Sequence, residues 1–515
     1  MNIAEAILSR GADSAAAILY RDSAMTYGVL REKVAQIAYR LLDQGSLKGD
    51  RIGIISENSP FFVAAYLGTI RAGLTAVPFQ TEVVAGAFSE MVLSTGIRAL
   101  LVSNRYRKHV QVWAEELGLP ILTEHGEECH PGSKTKPFPA TDAADDLAAL
   151  MFTSGSTGSP KAVMVTHRNI ERNALDIISY MGLSCDDRIM VVLPFHYCFG
   201  LSLLHTHLMV GGSIVLNNEF KLFPEAVLAE MQQKECTGLA GVPSTFQILL
   251  RRSRFRELDF PRLRWFQQAG GKLPNPCIQE ILLSFPRVKY FLMYGQTEGT
   301  ARLSYLPPER LTDKLGSIGR GLPSTRLEVL KPDGTPVVPG SDEIGEVVAS
   351  GDNITQGYWG DPVETAKFFK NGKLHTGDLA RVDSEGFIFI VERERDVIKS
   401  GGIRVGAKEV EDVIAELPEV VEVAVIGTPH ELLGEAIKAL VVPTSDTSIT
   451  PQSVKAHCGR RLPASKVPEE VILLGSLIHN SSGKVLKQEL KRLLLSRQLE
   501  ETRYPCSRRA EYTLA

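Results

Sequence analysis

Apolar positions along the first 300 residues alternate between two rhythms. Residues 27–42 carry them at helical spacing up to Gly45, whereas 51–56 (Arg-Ile-Gly-Ile-Ile-Ser) is a short, nearly continuous apolar run. Such a run suits a strand buried on both faces. Residues 60–72 then read as helix, and 74–79 and 98–103 as strands; further strand-like runs lie at 147–152, 188–193, 213–216, 238–242 and 290–293. Strands alternating with helices predict a parallel or mixed sheet covered by helices. After about residue 320 turn residues crowd in (Pro332-Asp333-Gly334, Pro339-Gly340, Gly360-Asp361) between short β-rich pieces at 345–350 and 387–391. That texture predicts a small antiparallel unit over about 320–395.

A charge run, Glu392-Arg393-Glu394-Arg395-Asp396, precedes a third pattern: helix 407–417, strands 421–427 and 436–443, helix 451–462, strand 470–474 and helix 484–496. The expected organisation is an α/β chain. Its large N-terminal domain spans 1–395, a small α+β domain spans 396–497 with the boundary at Asp396, and 498–515 forms a tail. With 44% apolar and 23% charged residues the composition is that of an ordinary soluble protein. A formal charge of −3 gives no electrostatic case for nucleic acid or an anionic membrane. The longest apolar stretch, 189–216, is interrupted by Pro194, His196, His205 and His207, which excludes a membrane span. Seven cysteines without paired spacing and an N-terminus without a leader pattern lead to the expectation of a cytoplasmic protein and argue against structural zinc.

Chemistry enters at Thr153-Ser154-Gly155-Ser156-Thr157-Gly158-Ser159-Pro160-Lys161, directly after the strand-like run 147–152. Glycines admit backbone N–H groups to an oxyanion, hydroxyls add donors and a lysine adds charge, which together suit a polyphosphate. No Gly-x4-Gly-Lys-Ser/Thr pattern runs through it, which disfavours a P-loop ATPase or kinase. Four more patches follow. Tyr294-Gly295-Gln296-Thr297-Glu298 offers an aromatic face for a base, a hydroxyl for a phosphate and one carboxylate for magnesium. Asp378, at a turn in His375-Thr376-Gly377-Asp378, can accept from two ribose hydroxyls. Arg393 precedes Asp396 and Gly401-Gly402, and Lys484 follows a glycine turn at the start of the last helix.

Together and in this order these motifs resemble the adenylate-forming superfamily of acyl-CoA synthetases, acid ligases, adenylation domains and luciferases, over about residues 25–490. The resemblance implies that Thr153, Ser154, Gly155, Ser156, Thr157, Gly158 and Lys161 cover the β- and γ-phosphates of ATP. It implies that Gly270, Gly271 and Lys272 frame the adenine with Tyr294, and that Gly295 and Gln296 belong to the same nucleotide site. Thr297 would touch the α-phosphate, Glu298 bind Mg2+, Asp378 and Arg393 hold the ribose, and Lys484 bridge the α-phosphate and the substrate carboxylate. Asp396 would be the hinge of a mobile C-terminal domain. Two departures from the family pattern stand out: Ala162 where Gly commonly follows Pro-Lys, and Glu392 where Gly commonly precedes Arg393.

The same resemblance lines the acid pocket with His196, Tyr197, Cys198, Phe199, Gly200, Val242, Gly299, Thr300 and Ala301, His196 orienting the carboxylate or gating the pocket. Relatives that activate amino acids carry an acidic residue soon after the Phe of this segment. Here no Asp or Glu occurs between Asp187 and Glu219. The expected activity is therefore ATP-dependent activation of an apolar carboxylic acid without an α-amino group. The acid becomes an acyl-AMP, pyrophosphate is released, and the acyl group passes to an acceptor, foremost the thiol of CoA. The alternatives are an amino acid, as in coronafacate-type ligases, and a separate acyl carrier protein. A nucleotide-binding homologue without turnover is expected to lack Lys484, Glu298 or Asp378, and all three are present.

Overall fold

The computed structural model describes residues 1–124, 137–154, 160–393, 397–444, 449–479 and 485–496, with backbone only for Ser154, Glu392, Arg393, Val397 and Arg404. Two compact units emerge: residues 1–241, 257–271 and 286–389, and residues 242–256, 272–285 and 390–515.

Among its described residues the first unit holds three sheets. One runs Ser304–Leu306, Lys289–Tyr294, Trp265–Gln268, Gly238–Gly241, Arg188–Val191, Ser213–Leu216, Ala16–Tyr20 and Ser23–Thr26 in spatial order. Its six inner strands are parallel and its two edges antiparallel. A second runs Ile121–Leu122, Ile97–Val102, Arg51–Ile55, Thr75–Pro78, Leu147–Ser154 and Pro160–Thr166, parallel except for the last. The third is antiparallel and includes Thr325–Leu330, Gly345–Gly351 and Lys373–Val382. The expected strands are thus present, most within two residues of their predicted ends.

Between the two parallel sheets' strand ends the chain needs irregular turns, and open α/β sheets bind ligands at the carboxyl ends of their strands. The helix Cys198–Met209 leaves one such end. Every residue from Phe199 to Met209 is buried, so no polar stripe marks it as a helix in the sequence. His205 and His207 are core residues that bond the Tyr66 hydroxyl (3.1 Å) and the Leu203 carbonyl (2.9 Å). Among the described residues no helix is long and apolar enough to cross a membrane.

In the second unit the sheet order is Ile403–Gly406, Val397–Ser400, Gly434–Pro443 and Val420–His430, with Glu470–Leu473 parallel to Gly434–Pro443. Alternation along Gly434–Pro443 sends Ile437, Ala439 and Val441 to one face and Leu440 and Val442 to the other. Helices Ala407–Ile414 and Pro451–Arg461 cover the first face through Val410, Ile414 and Val454, and Lys487–Leu495 covers the second through Leu490. Gly401 and Gly402, with φ of 57° and 79°, form the two-residue turn joining Val397–Ser400 to Ile403–Gly406.

The division differs from the expected one at 395/396. Ile390 opens the C-terminal part of the second unit, which also takes in helices Pro243–Arg252 and Asn275–Ser284. The first of these packs on the strand Val420–His430. Chain order alone carried no sign of that packing. Asp396 lies outside the described residues.

One close approach in the large sheet is readily tested. A Cβ on Gly238 would stand 1.9 Å from the ring of Trp265 on the neighbouring strand, itself fully buried. Gly238→Ala is expected to lower stability by about 1–3 kcal/mol, as overpacking does, read as a drop in thermal midpoint by circular dichroism.

Candidate active site

The strand Lys289–Tyr294 ends in a turn that carries seven of the expected site residues, Gly295 to Ala301. Gly295 is required where that turn passes the following chain: a Cβ there would lie 1.9 Å from the carbonyl oxygen of Ala301. Tyr294 then donates from its hydroxyl to Asp378 Oδ2 at 2.6 Å, bringing together the expected adenine and ribose residues. Asp378 sits at a bulge in Lys373–Val382. Pairing with Gly345–Gly351 slips between Glu346 and Val348, and Gly377 takes φ 71°. Glu346 pins the bulge by accepting from the Gly377 N–H (3.0 Å) and bonding His375 Nδ1 (2.7 Å).

Thr297–Gly299 is a short 3₁₀ turn. Glu298 Oε1 accepts from the Tyr358 hydroxyl at 2.8 Å, and its backbone carbonyl accepts from Thr355 N–H at 3.0 Å. Burial first, and then the Glu298 charge, push the Tyr358 phenol well above its ordinary value, so it stays a donor. Lys161 pairs with Glu364 and lies 5.5 Å from the Tyr358 ring centre. Its ammonium is therefore engaged by a carboxylate in this state, and contact with a phosphate would require that pair to open. Gln296 Nε2 is buried without a partner among the described residues.

Five of the residues expected to line the acid pocket, His196, Tyr197, Cys198, Phe199 and Gly200, lie on the helix Cys198–Met209 and the segment before it. Asn58, which the sequence did not single out, accepts from Phe195 N–H (2.9 Å) and donates to the Leu193 carbonyl (2.8 Å), clamping the chain that presents His196. Burial, reinforced by the Lys221 charge, pushes the His196 imidazole down to about 3; its ring lies 4.5 Å from that of Tyr197. Gly200 admits the carbonyl of Pro194, which would stand 2.3 Å from a Cβ. Cys198 Sγ is 3.5 Å from Thr297 Oγ1, and burial raises its thiol above the ordinary value, which suits a pocket wall and not a nucleophile. Cys198, Leu201, His205, Tyr66, Met151 and Thr300 are among the residues lining a cavity of about 10 Å³.

Thr300 and Ala301 have φ of 62° and 141°, two successive non-glycine residues in the left-handed half of the map. They turn the chain so that Arg302, also not singled out in the sequence, is only 1% exposed. Gln268 Nε2 donates to the Gly271 carbonyl (2.7 Å) and shapes the Ala269–Gly271 turn, where Gly270 has φ 84°. Lys272 and Val242 belong to the second unit. There Lys272 pairs with Asp412, and the Val242 N–H donates to Thr245 Oγ1 (3.3 Å). Gly155, Ser156, Thr157, Gly158 and Lys484 lie outside the described residues, as do the side chains of Ser154 and Arg393.

A sequence model of the AMP-binding enzyme family matches residues 6–359, and one of the AMP-binding enzyme C-terminal domain matches 409–484. The chain belongs to the AMP-binding enzymes. Among curated relatives of this AMP-binding enzyme is a feruloyl-CoA synthase from an Amycolatopsis species, 33% identical over 487 residues, covering 94% of this chain and 97% of that protein. A long-chain-fatty-acid–CoA ligase, FadD13 of Mycobacterium tuberculosis, is 30% identical over 481 residues, covering 91% and 93%. Among solved structures, ATP-bound MatB from Rhodopseudomonas palustris superposes with a TM-score of 0.82 at 27% identity, covering 95% and 98% of the two chains. The o-succinylbenzoate-CoA synthetase of Bacillus subtilis in complex with its acyl-adenylate OSB-AMP gives the same TM-score, identity and coverage.

The His196 environment makes a direct prediction. With its imidazole pushed down to about 3, the ring is neutral at every pH above about 4.5. Its ring resonances are expected to show no titration between pH 5 and 8; a midpoint near the ordinary value of about 6.5 would contradict the described burial.

Proposed function

We propose that this chain is an ATP-dependent, AMP-forming ligase that joins a carboxylic acid to CoA by way of an acyl-adenylate. The observation that carries the reading is the joining of Tyr294 to Asp378 and the poising of Glu298 on one turn at the carboxyl end of a parallel strand, in a chain whose residues 6–359 match the AMP-binding family model. The curated relatives named above are CoA synthases or ligases, and the second neighbouring structure holds an acyl-adenylate.

The chemistry follows from charge. A carboxylate resists nucleophiles until its oxygen has attacked the α-phosphorus of ATP and expelled pyrophosphate, so two anions must first meet. Tyr294 stacks the base and Asp378 accepts from the ribose, fixing the nucleotide relative to Thr297, whose hydroxyl reaches the α-phosphate. Glu298 fits a magnesium ion: the Tyr358 hydroxyl orients one carboxylate oxygen, and magnesium takes one or two carboxylates with its remaining positions on phosphate and water. When bound there, magnesium would offset charge on the phosphates. Lys484 supplies the second cation, between the α-phosphate and the attacking carboxylate, and Asp396 is the hinge that removes it before thioester formation.

The acid lacks an α-amino group. Asp187, the acidic residue preceding the His196 segment, lies at the opposite end of its strand and is held by Arg264 (2.8 Å) and Thr237 (3.0 Å). No carboxylate of that segment is left to pair with an ammonium. His196, neutral and close to Tyr197, can donate to or accept from the substrate carboxylate but adds no charge.

Mass-spectrometric detection of AMP, pyrophosphate and product over a panel of acids, with CoA or common amino acids as acceptor, tests the reading. Acyl-CoA with AMP is expected; an N-acyl amino acid would place the chain with amide-forming ligases, and ADP would overturn adenylation. Lys484→Ala should slow acid-dependent pyrophosphate release by about two to three decades, the usual effect of removing one preorganised charge. It should still convert a pre-made acyl-adenylate and CoA to thioester. Equal loss of both steps would remove Lys484 from the role.

A further inference from the structure

Lys161, expected on the phosphates of ATP, has its charge committed elsewhere. It stands on the strand Pro160–Thr166, and its ammonium pairs with Oε1 of Glu364 on the helix Pro362–Phe368. The two side chains are 11% and 8% exposed, so the pair is buried. Lys367, on the surface, takes the second carboxylate oxygen at 2.8 Å. The Lys161 ammonium also lies 5.5 Å from the ring centre of Tyr358 and 6.0 Å from that of Phe368. Moving it to a phosphate would leave the Glu364 carboxylate in the interior with only Lys367 to offset it, and a poorly compensated buried charge is costly.

Between the two partners runs the segment that carries Tyr358. It pairs with the strand of Lys161: Met164 N–H donates to the Gly357 carbonyl at 2.9 Å, and Trp359 N–H to the Ala162 carbonyl at 2.8 Å. It is also tied to the helix of Glu364, where Thr365 Oγ1 accepts from Tyr358 N–H at 3.0 Å and donates to the Asp361 carbonyl at 2.7 Å. Strand, segment and helix thus form a loop that the ion pair closes. Tyr358 is buried within it, its ring held edge-on by Phe368 and Phe369 at centre distances of 6.2 and 6.0 Å. Only its hydroxyl has a task outside the loop, donating to Glu298 Oε1 at 2.8 Å.

We propose that Lys161 is a positioning residue: paired with Glu364 it fixes the Tyr358 hydroxyl on Glu298, and it does not lend its charge to the phosphates. The inference rests on the acid–ligase reading, in which Glu298 receives the magnesium of ATP. Partners that orient a metal-binding carboxylate matter to the metal, and losing one usually weakens its binding by about 10- to 100-fold. What Tyr358 needs from the pair is a fixed wall. Two methionines packed in place of the lysine and the glutamate supply such a wall without charge, as apolar replacements of buried ion pairs commonly do. A donor to phosphate, by contrast, has no apolar substitute.

The test measures Mn2+ binding by electron paramagnetic resonance in the presence of a non-hydrolysable ATP analogue, beside acid-dependent pyrophosphate release across Mg2+ concentrations. Lys161→Met, Glu364→Gln and Tyr358→Phe are each expected to weaken Mn2+ binding by about 10-fold or more, and to raise in step the Mg2+ needed for half-maximal rate. Lys161→Met combined with Glu364→Met should recover most of the loss of the single variant. Lys161→Met added to Tyr358→Phe should cost nothing further, since both act on Glu298 through one hydroxyl. A Lys161→Met loss that Glu364→Met leaves in place, or that adds in full to the Tyr358→Phe loss, would make Lys161 a phosphate ligand and overturn the proposal. A lowered thermal midpoint with unchanged Mn2+ affinity, the mark of a purely structural pair, would overturn it too. The ligase reading fails separately: wild type that binds Mn2+ with the analogue but releases no pyrophosphate with any acid counts against that reading alone.

Discussion

The backbone of Gly295 passes the carbonyl of Ala301 with no room for a side chain between them, and the site hangs on that crossing. Before it, Tyr294 is anchored to Asp378; beyond it, Thr297 meets Cys198 and Glu298 meets Tyr358. On the far side, Thr300 and Ala301 take left-handed conformations, and two asparagines hold Arg302 in the core. The residues expected to meet the nucleotide and the acid thus share one nine-residue segment, 294–302.

Charge sets the second constraint. Several cations of this region already have partners: Lys161 is held by Glu364, and Lys272 by Asp412. Burial disfavours the charged form of His196. Arg302 differs in being buried without a carboxylate among the described residues.

Much of the fold was legible because strands buried on both faces leave continuous apolar runs, as at 51–56 and 290–293, and because turn residues punctuate them. The helix Cys198–Met209 was not, since burial on all sides erases the periodicity by which a helix is recognised. The grouping of Pro243–Arg252 with the C-terminal sheet depends on long-range packing that no local pattern carries. In the site, Tyr294, Glu298 and Asp378 could be named because their motifs combine glycine with chemistry, and the structure brings each to a partner. Asn58 and Arg302 went unnoticed because a lone Asn after a strand and a lone Arg after a turn look like surface residues. Only their burial and bonding reveal what they hold. One signal for Arg302 was available: the run Gly299-Thr300-Ala301-Arg302 ends a motif rich in small residues with a single large charge.

The most direct test of acyl transfer through an adenylate is isotopic. With a turned-over acid labelled with ¹⁸O in its carboxylate, attack on the α-phosphorus leaves one labelled oxygen in AMP after the acyl group moves to CoA. AMP carrying one ¹⁸O, with none in pyrophosphate, is the expected result. Unlabelled AMP, or label appearing in inorganic phosphate beside ADP, would contradict it.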